Sequence, residues 1–182
     1  MKLWVKGLLG ISLIAGLGLA AYWFQPWRLF TNVEVIEALP TQTISATPKP
    51  APTQSEEVVS EPEAPAEPEV LLEGSLISHE YETSGVVQVL LLPDGSRVLR
   101  LEALETSDGP DLEVWLSDAE VVPGFAGWHL FDDGEYFSLG KLQGNLGDQN
   151  YLIPEDLDLE RFSSMSIWCV RFAVSFGAAE LT

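Results

Sequence analysis

The sequence predicts an all-β fold, an antiparallel β-sandwich of short strands, preceded by one N-terminal transmembrane helix and a disordered linker. Three observations predict it: an unbroken apolar run near the N-terminus, a Pro/Glu-rich stretch without apolar periodicity, and then short apolar stretches separated by turn signals about every ten residues. The expected division is an anchor over 1–28, a linker over 29–70 and a β-sandwich domain over 71–182.

The anchor comes first. "GLLGISLIAGLGLAAYWF", from Gly7 to Phe24, has Ser12 as its polar side chain, and roughly 20 such residues in a helix span a bilayer core. Lys2 and Lys6 precede it, which by the positive-inside rule keeps the N-terminus cytoplasmic and sends the rest across. Gly18 and Ala20 also suit the small-residue positions of a cleaved signal peptide. The length of the run, and Tyr22, Trp23 and Trp27 as an aromatic belt, favour an uncleaved single-pass anchor.

Pro40 to Glu69 reads "PTQTISATPKPAPTQSEEVVSEPEAPAEPE". Such a segment cannot bury enough apolar surface to offset its ordering entropy, so an extended tether holding the folded part away from the membrane is expected. Residues 28–39 are ambiguous and could continue the anchor as a short helix.

In the folded part, "GVVQVLLL" and "RVLRLEAL" flank "PDGS", a hairpin connection with Asp94 and Gly95 in the turn. "DLEVWLS" places Leu112, Val114 and Leu116 on one face. "EYFSLGKLQ" is a further strand, "GNLGDQN" a loop, and "YLI" a short strand stopped by Pro154. "PEDLDLERFSS" has the acids for one capped turn. "SIWCVRFAVSF" is the last long strand, with Trp168, Val170, Phe172, Val174 and Phe176 on the core face. That phase leaves Cys169 and Arg171 together on the mixed face.

Cys169 is the single cysteine of the chain, so it has no intramolecular disulfide partner. A neighbouring guanidinium favours the thiolate, the nucleophilic and oxidisable form, which makes Cys169 a candidate redox thiol and Arg171 its stabiliser. The competing reading is a half-buried small hydrophobe without chemistry. His79, His129, Cys169 and Met165 are the ligand types of a blue-copper site, but both histidines precede the cysteine by 40 positions or more, the wrong order for that class. His79 reads better as a solvated or hydrogen-bonded side chain at a strand end. Asp132, Asp133 and Glu135 in "FDDGEY" are calcium-type donors without EF-hand spacing, and a solvated turn accounts for them. No cofactor and no metal are therefore expected.

Nucleophile-elbow, phosphate-loop, His-Glu-x-x-His and paired-cysteine motifs are all missing, which argues against a stand-alone enzyme. Residues 74–182 hold 19 acids against five bases. A surface of that sign repels phosphate backbones, so nucleic acid is a poor partner.

"TSGVVQVLLLPDGSRVLRLEAL", "TSDGPDLEVWLS", "LGKLQGNLGDQNYLIP" and "SIWCVRFAVSFGAAEL" together resemble the DM13 domain family, also called electron-transfer DM13. The resemblance spans about Leu71 to Leu181. "GPDL" at Gly109–Leu112, "GDQNY" at Gly147–Tyr151 and "WC…F…FG" from Trp168 to Gly177 carry it in combination. It implies a β-sandwich at the cell surface or in the periplasm, with a redox role in which Cys169 falls on the family's cysteine. In animals, members accompany DOMON domains and cytochrome-b561-type membrane modules; here no haem-binding partner domain is expected, so complete electron transfer by this protein alone is not expected either.

The expected function is therefore that of a membrane-anchored, extracytoplasmic redox or electron-transfer accessory acting with another surface protein. The alternative is a non-catalytic binding or adhesion module, with Trp128 and Tyr136 of "GFAGWHLFDDGEY" as contact residues and a structural cysteine.

Overall fold

The computed structural model describes residues 3–39 and 67–182. The side chains of residues 3–9, 11, 29 and 30 lie outside that description, as does most of the stretch read as a tether. Helix α1 (Leu3–Phe24) is followed by a 3₁₀ turn, Pro26–Phe30, and a short strand β1 (Glu34–Ile36). After the undescribed residues come β2 (Glu69–Ser75), β3 (Ile77–Ser78), β4 (Ser84–Leu91), β5 (Arg97–Glu105), β6 (Leu112–Ser117), β7 (Tyr136–Lys141), β8 (Leu146–Ile153), β9 (Ser164–Cys169) and β10 (Val174–Glu180). Among the described residues no helix is long and apolar enough to cross a membrane.

Two five-stranded sheets face each other, with orders β1-β8-β5-β4-β2 and β3-β10-β9-β6-β7. Alternation explains the core between them: Val87, Val89, Leu99 and Leu101 of the first sheet meet Val114, Leu116, Met165 and Ile167 of the second, all fully buried. The "PDGS" hairpin forms as its residues predict, with Ser96 N–H donating to Asp94 Oδ1 at 2.9 Å and Gly95 in the left-handed region at φ 86°.

Four expectations change. Residues 31–39, placed in the linker or in a continued helix, instead add β1 to the first sheet, parallel to β8, so that sheet is mixed rather than purely antiparallel. Polar partners fix the addition: Val33 N–H donates to Asn145 Oδ1 at 2.7 Å, and Asn150 N–H to Glu37 Oε2 at 2.7 Å. Second, the sandwich is not held apart from α1, because Arg28 Nη1 reaches Asp108 at 3.3 Å and the Gly109 carbonyl at 3.0 Å, while Thr31 Oγ1 donates to Asp108 at 2.9 Å.

Third, "GNLGDQN", read as a loop, is strand from Leu146 onward, and only Gly144 and Asn145 precede β8. Gly147 at φ 94° sits where the β5–β8 register shifts, and a bulge is where glycine inside a strand is tolerated. Fourth, "SIWCVRFAVSF" is a hairpin. β9 ends at Cys169, residues 170–173 turn with Ala173 at φ 50°, and β10 returns opposite, Val174 pairing with Cys169.

Candidate functional site

The turn reverses the phase on which the cysteine's setting was read. With β9 stopping at Cys169, it is Met165, Ile167 and Cys169 that enter the inter-sheet core, while Val170 and Phe172 emerge at the surface, 40% and 39% exposed. Cys169 itself is 0% exposed. Its strand neighbours are Leu112 on β6 and Val174 on β10.

Arg171 does not act on the thiol through its side chain. Its Nη1 donates to the Trp23 carbonyl at 2.6 Å and the guanidinium lies over the Trp23 ring, 5.5 Å from the centroid. Only backbone N–H groups, those of Phe172 and Arg171, favour the Cys169 thiolate. Burial outweighs them and pushes the thiol up, and the Asp111 and Glu80 carboxylates push in the same direction. Cys169 is therefore a protonated, enclosed thiol at neutral pH, the opposite of the activated thiolate expected of an Arg-flanked strand position.

The outer face of β9 carries what sequence reasoning missed. Trp168, Trp115, Phe131 and Ala178 form a second buried cluster beneath the chain between β6 and β7. Trp168 stacks on Trp115 at 5.2 Å, and Trp115 stacks on Tyr136 at 3.9 Å with the rings 1° from parallel. Tyr136 is 46% exposed, so the stack runs from the residue adjoining Cys169 out to solvent. Trp115 and Trp168 lie opposite Ser166 and Glu113 in the β6–β9 ladder, a register that same-face spacing along one strand could not reveal.

Beside this stack runs a buried hydrogen-bonded chain. Ser166 Oγ donates to Ser175 Oγ at 2.9 Å, Ser175 Oγ lies 2.7 Å from His79 Nδ1, and His79 Nε2 faces the Val122 carbonyl at 3.2 Å. A carbonyl only accepts, so Nε2 carries the proton and Nδ1 accepts from Ser175. Burial holds the imidazole below its ordinary value. The Ser175–His79 pair has the spacing of a nucleophile and its base, but Ser175 is fully buried, so the pair fastens the covering loop rather than meeting a substrate.

The other candidate residues are scattered. Trp128 is half-buried, packs against the main core and leaves its indole N–H without a partner. Its ring contact is Phe125, whereas that of Tyr136 is Trp115, so the two proposed contact residues belong to different clusters. His129 Nδ1 bonds to the Ala173 carbonyl at 2.6 Å and Met165 lies in the core, so the copper-type set does not converge. Glu135 pairs with Arg161, while Asp132 and Asp133 are exposed. Among the described residues no group of three or more His, Cys, Asp or Glu side chains is placed to hold a metal ion. An open pocket of about 640 Å³ lies between the 3₁₀ turn and the sandwich, lined by Trp27, Arg28, Asp108, Asp111 and Lys141 among others.

Residues 75–181, from the end of β2 to just past β10, match the family model described as Electron transfer DM13. The chain belongs to the DM13 family. No curated protein and no solved structure matches it. The DM13 match covers both sheets apart from β1 and most of β2, and it includes Cys169, the aromatic stack and the His79 chain. Membership supports a redox role for the domain in general terms.

Proposed function

We propose that this protein is a membrane-anchored, extracytoplasmic DM13 protein that serves as an electron-transfer accessory to a redox partner at the same membrane, with Cys169 as its redox group. The observation that carries the reading is the DM13 match over residues 75–181. The anchor rests on the apolar run Gly7–Phe24 and the lysines before it. Burial of Cys169 narrows the chemistry. Thiol–disulfide exchange requires sulfur-to-sulfur attack and hence access, which a fully enclosed thiol denies. Electron exchange needs no such contact: an oxidised partner would take one electron by way of the Trp168–Trp115–Tyr136 rings, which run from the cysteine's neighbour to solvent, and the thiol would give up its proton to a nearby carboxylate, Asp111 or Glu80, leaving a neutral thiyl radical.

The test is voltammetry of the detergent-solubilised full chain beside its Cys169→Ser variant. A redox wave in the parent that disappears in the variant is expected. A wave unchanged in the variant removes Cys169 from the role.

A second reading, a surface binding module with a structural cysteine, is favoured by the same burial and by the raised thiol. Under it the parent shows no redox wave at all. Either way, Cys169 in the native protein should resist a thiol reagent until denaturant is added; rapid native labelling would contradict the closed site.

A further inference from the structure

We propose that the end of the sandwich formed by the β9–β10 turn rests directly on the bilayer surface, so that the DM13 domain is seated on the membrane by α1 rather than suspended above it. The proposal rests on the anchor reading given above.

The strand registers define two ends. β5 runs from Arg97 to Glu105, with Arg97 opposite Ile153 and Glu105 opposite Leu146, while β9 runs from Ser164, opposite Ser117, to Cys169, opposite Leu112. The 170–173 turn, Leu112 and the Asp108–Gly109 loop therefore share one end. The loop after Ile153 lies at the other, roughly 25 Å away at about 3.3 Å per residue.

The last turn of α1 is fastened to the first of these ends. Phe24 stacks on Phe172 with centroids 5.8 Å apart and rings 14° from parallel. The carbonyl and ring of Trp23 take the Arg171 guanidinium. Arg28, four residues beyond the helix, bonds Asp108 and Gly109. Only a few residues separate α1 from these contacts, so an embedded helix carries the turn to the level of the headgroups.

The surface there suits that position. Trp23, Phe24, Trp27, Val170 and Phe172 are all exposed, and so is Phe125, at 73%, on a loop that reaches the same turn through the His129–Ala173 hydrogen bond. A contiguous exposed apolar group on a monomer marks an interaction surface, and aromatic rings are the side chains that favour the lipid–water boundary. Continuity with α1 makes that boundary the occupant. Acidic character elsewhere on the domain directs this seating to zwitterionic lipid rather than to an anionic surface.

The experiment uses the full chain in a Cys169→Ala background, with a fluorescent label on either Val170→Cys at the seated end or Asp156→Cys at the far end. Both proteins are placed in phosphatidylcholine nanodiscs containing lipid with a nitroxide on its headgroup. The Val170 label should lose most of its emission and the Asp156 label none. Protein that stays with the discs but shows equal emission at both sites overturns the seating and leaves the anchor intact. Protein that fails to associate with discs overturns the anchor, and the seating with it. Shielding of Val170 from nitroxide together with a doubled protein mass assigns the surface to a second copy, and also overturns the proposal.

Discussion

The two faces of β9 are both buried, yet they are built differently. The inner face, Met165, Ile167 and Cys169, meets another sheet whose backbone groups are already paired in their own ladder, and it packs by shape alone. The outer face, Ser164, Ser166 and Trp168, meets an irregular loop whose carbonyls need partners. Here the Ser166–Ser175–His79 chain reaches the Val122 carbonyl of that loop, while Ser164 Oγ donates to the carbonyl of Ser117, where β6 gives way to the loop, at 3.0 Å. A sheet can be covered by apolar side chains only. A loop that does the same job brings polar main-chain groups with it, and each must be satisfied or cost roughly 1–3 kcal/mol.

That contrast is sharpened first by removing the loop's largest contact. Trp168→Ala empties the space between Trp115 and Phe131 and should cost about 3–5 kcal/mol in urea unfolding, the range for a buried aromatic. A loss under about 1 kcal/mol would show that the loop covers the face without packing on it.

The polar chain is tested next. Ser175→Ala leaves His79 Nδ1 and Ser166 Oγ unpaired and should cost about 1–3 kcal/mol. The same chain gives a pH signature. His79 is held below its ordinary 6.5 when folded, so the unfolded chain takes up the proton first as pH falls. Its contribution is present in full above about 6.5 and is lost from there down to the folded value. A His79→Gln variant should show a flatter loss of stability just below pH 6.5 than the parent; parallel curves would break the assignment.

The smallest effect belongs to the exposed end of the stack. Tyr136→Ala removes a parallel contact at 3.9 Å with Trp115 and should cost about 0.5–1.5 kcal/mol, with a change in tryptophan emission from the altered surroundings of Trp115.

These faces also show what could be read in advance. The phase of β6 was legible because Leu112, Val114 and Leu116 alternate with the more polar Glu113 and Ser117. The phase of β9 was not, since a strand buried on both faces gives no contrast between them. The turn after it was hidden for a different reason. Val170–Ala173 contains none of the Gly, Pro, Asn or Asp residues that announce a reversal, and Ala173 takes φ 50° without them. Cys169 was found as the lone thiol, but its enclosure depends on that turn. The Trp115–Tyr136 and Ser175–His79 pairs join residues 21 or more positions apart in the chain, which no local pattern specifies.

The β1 addition has a practical consequence for anyone isolating the domain. Residues 75–181 carry the family match, yet a fragment cut to those limits, or starting at 70, loses the strand that pairs with β8. Its removal strips Glu37 from Asn150 and exposes a row of unpaired main-chain donors and acceptors along Leu146–Asp148. An open edge of this kind is a template for pairing with other chains, so such a fragment should aggregate where one beginning near Thr31 stays dispersed.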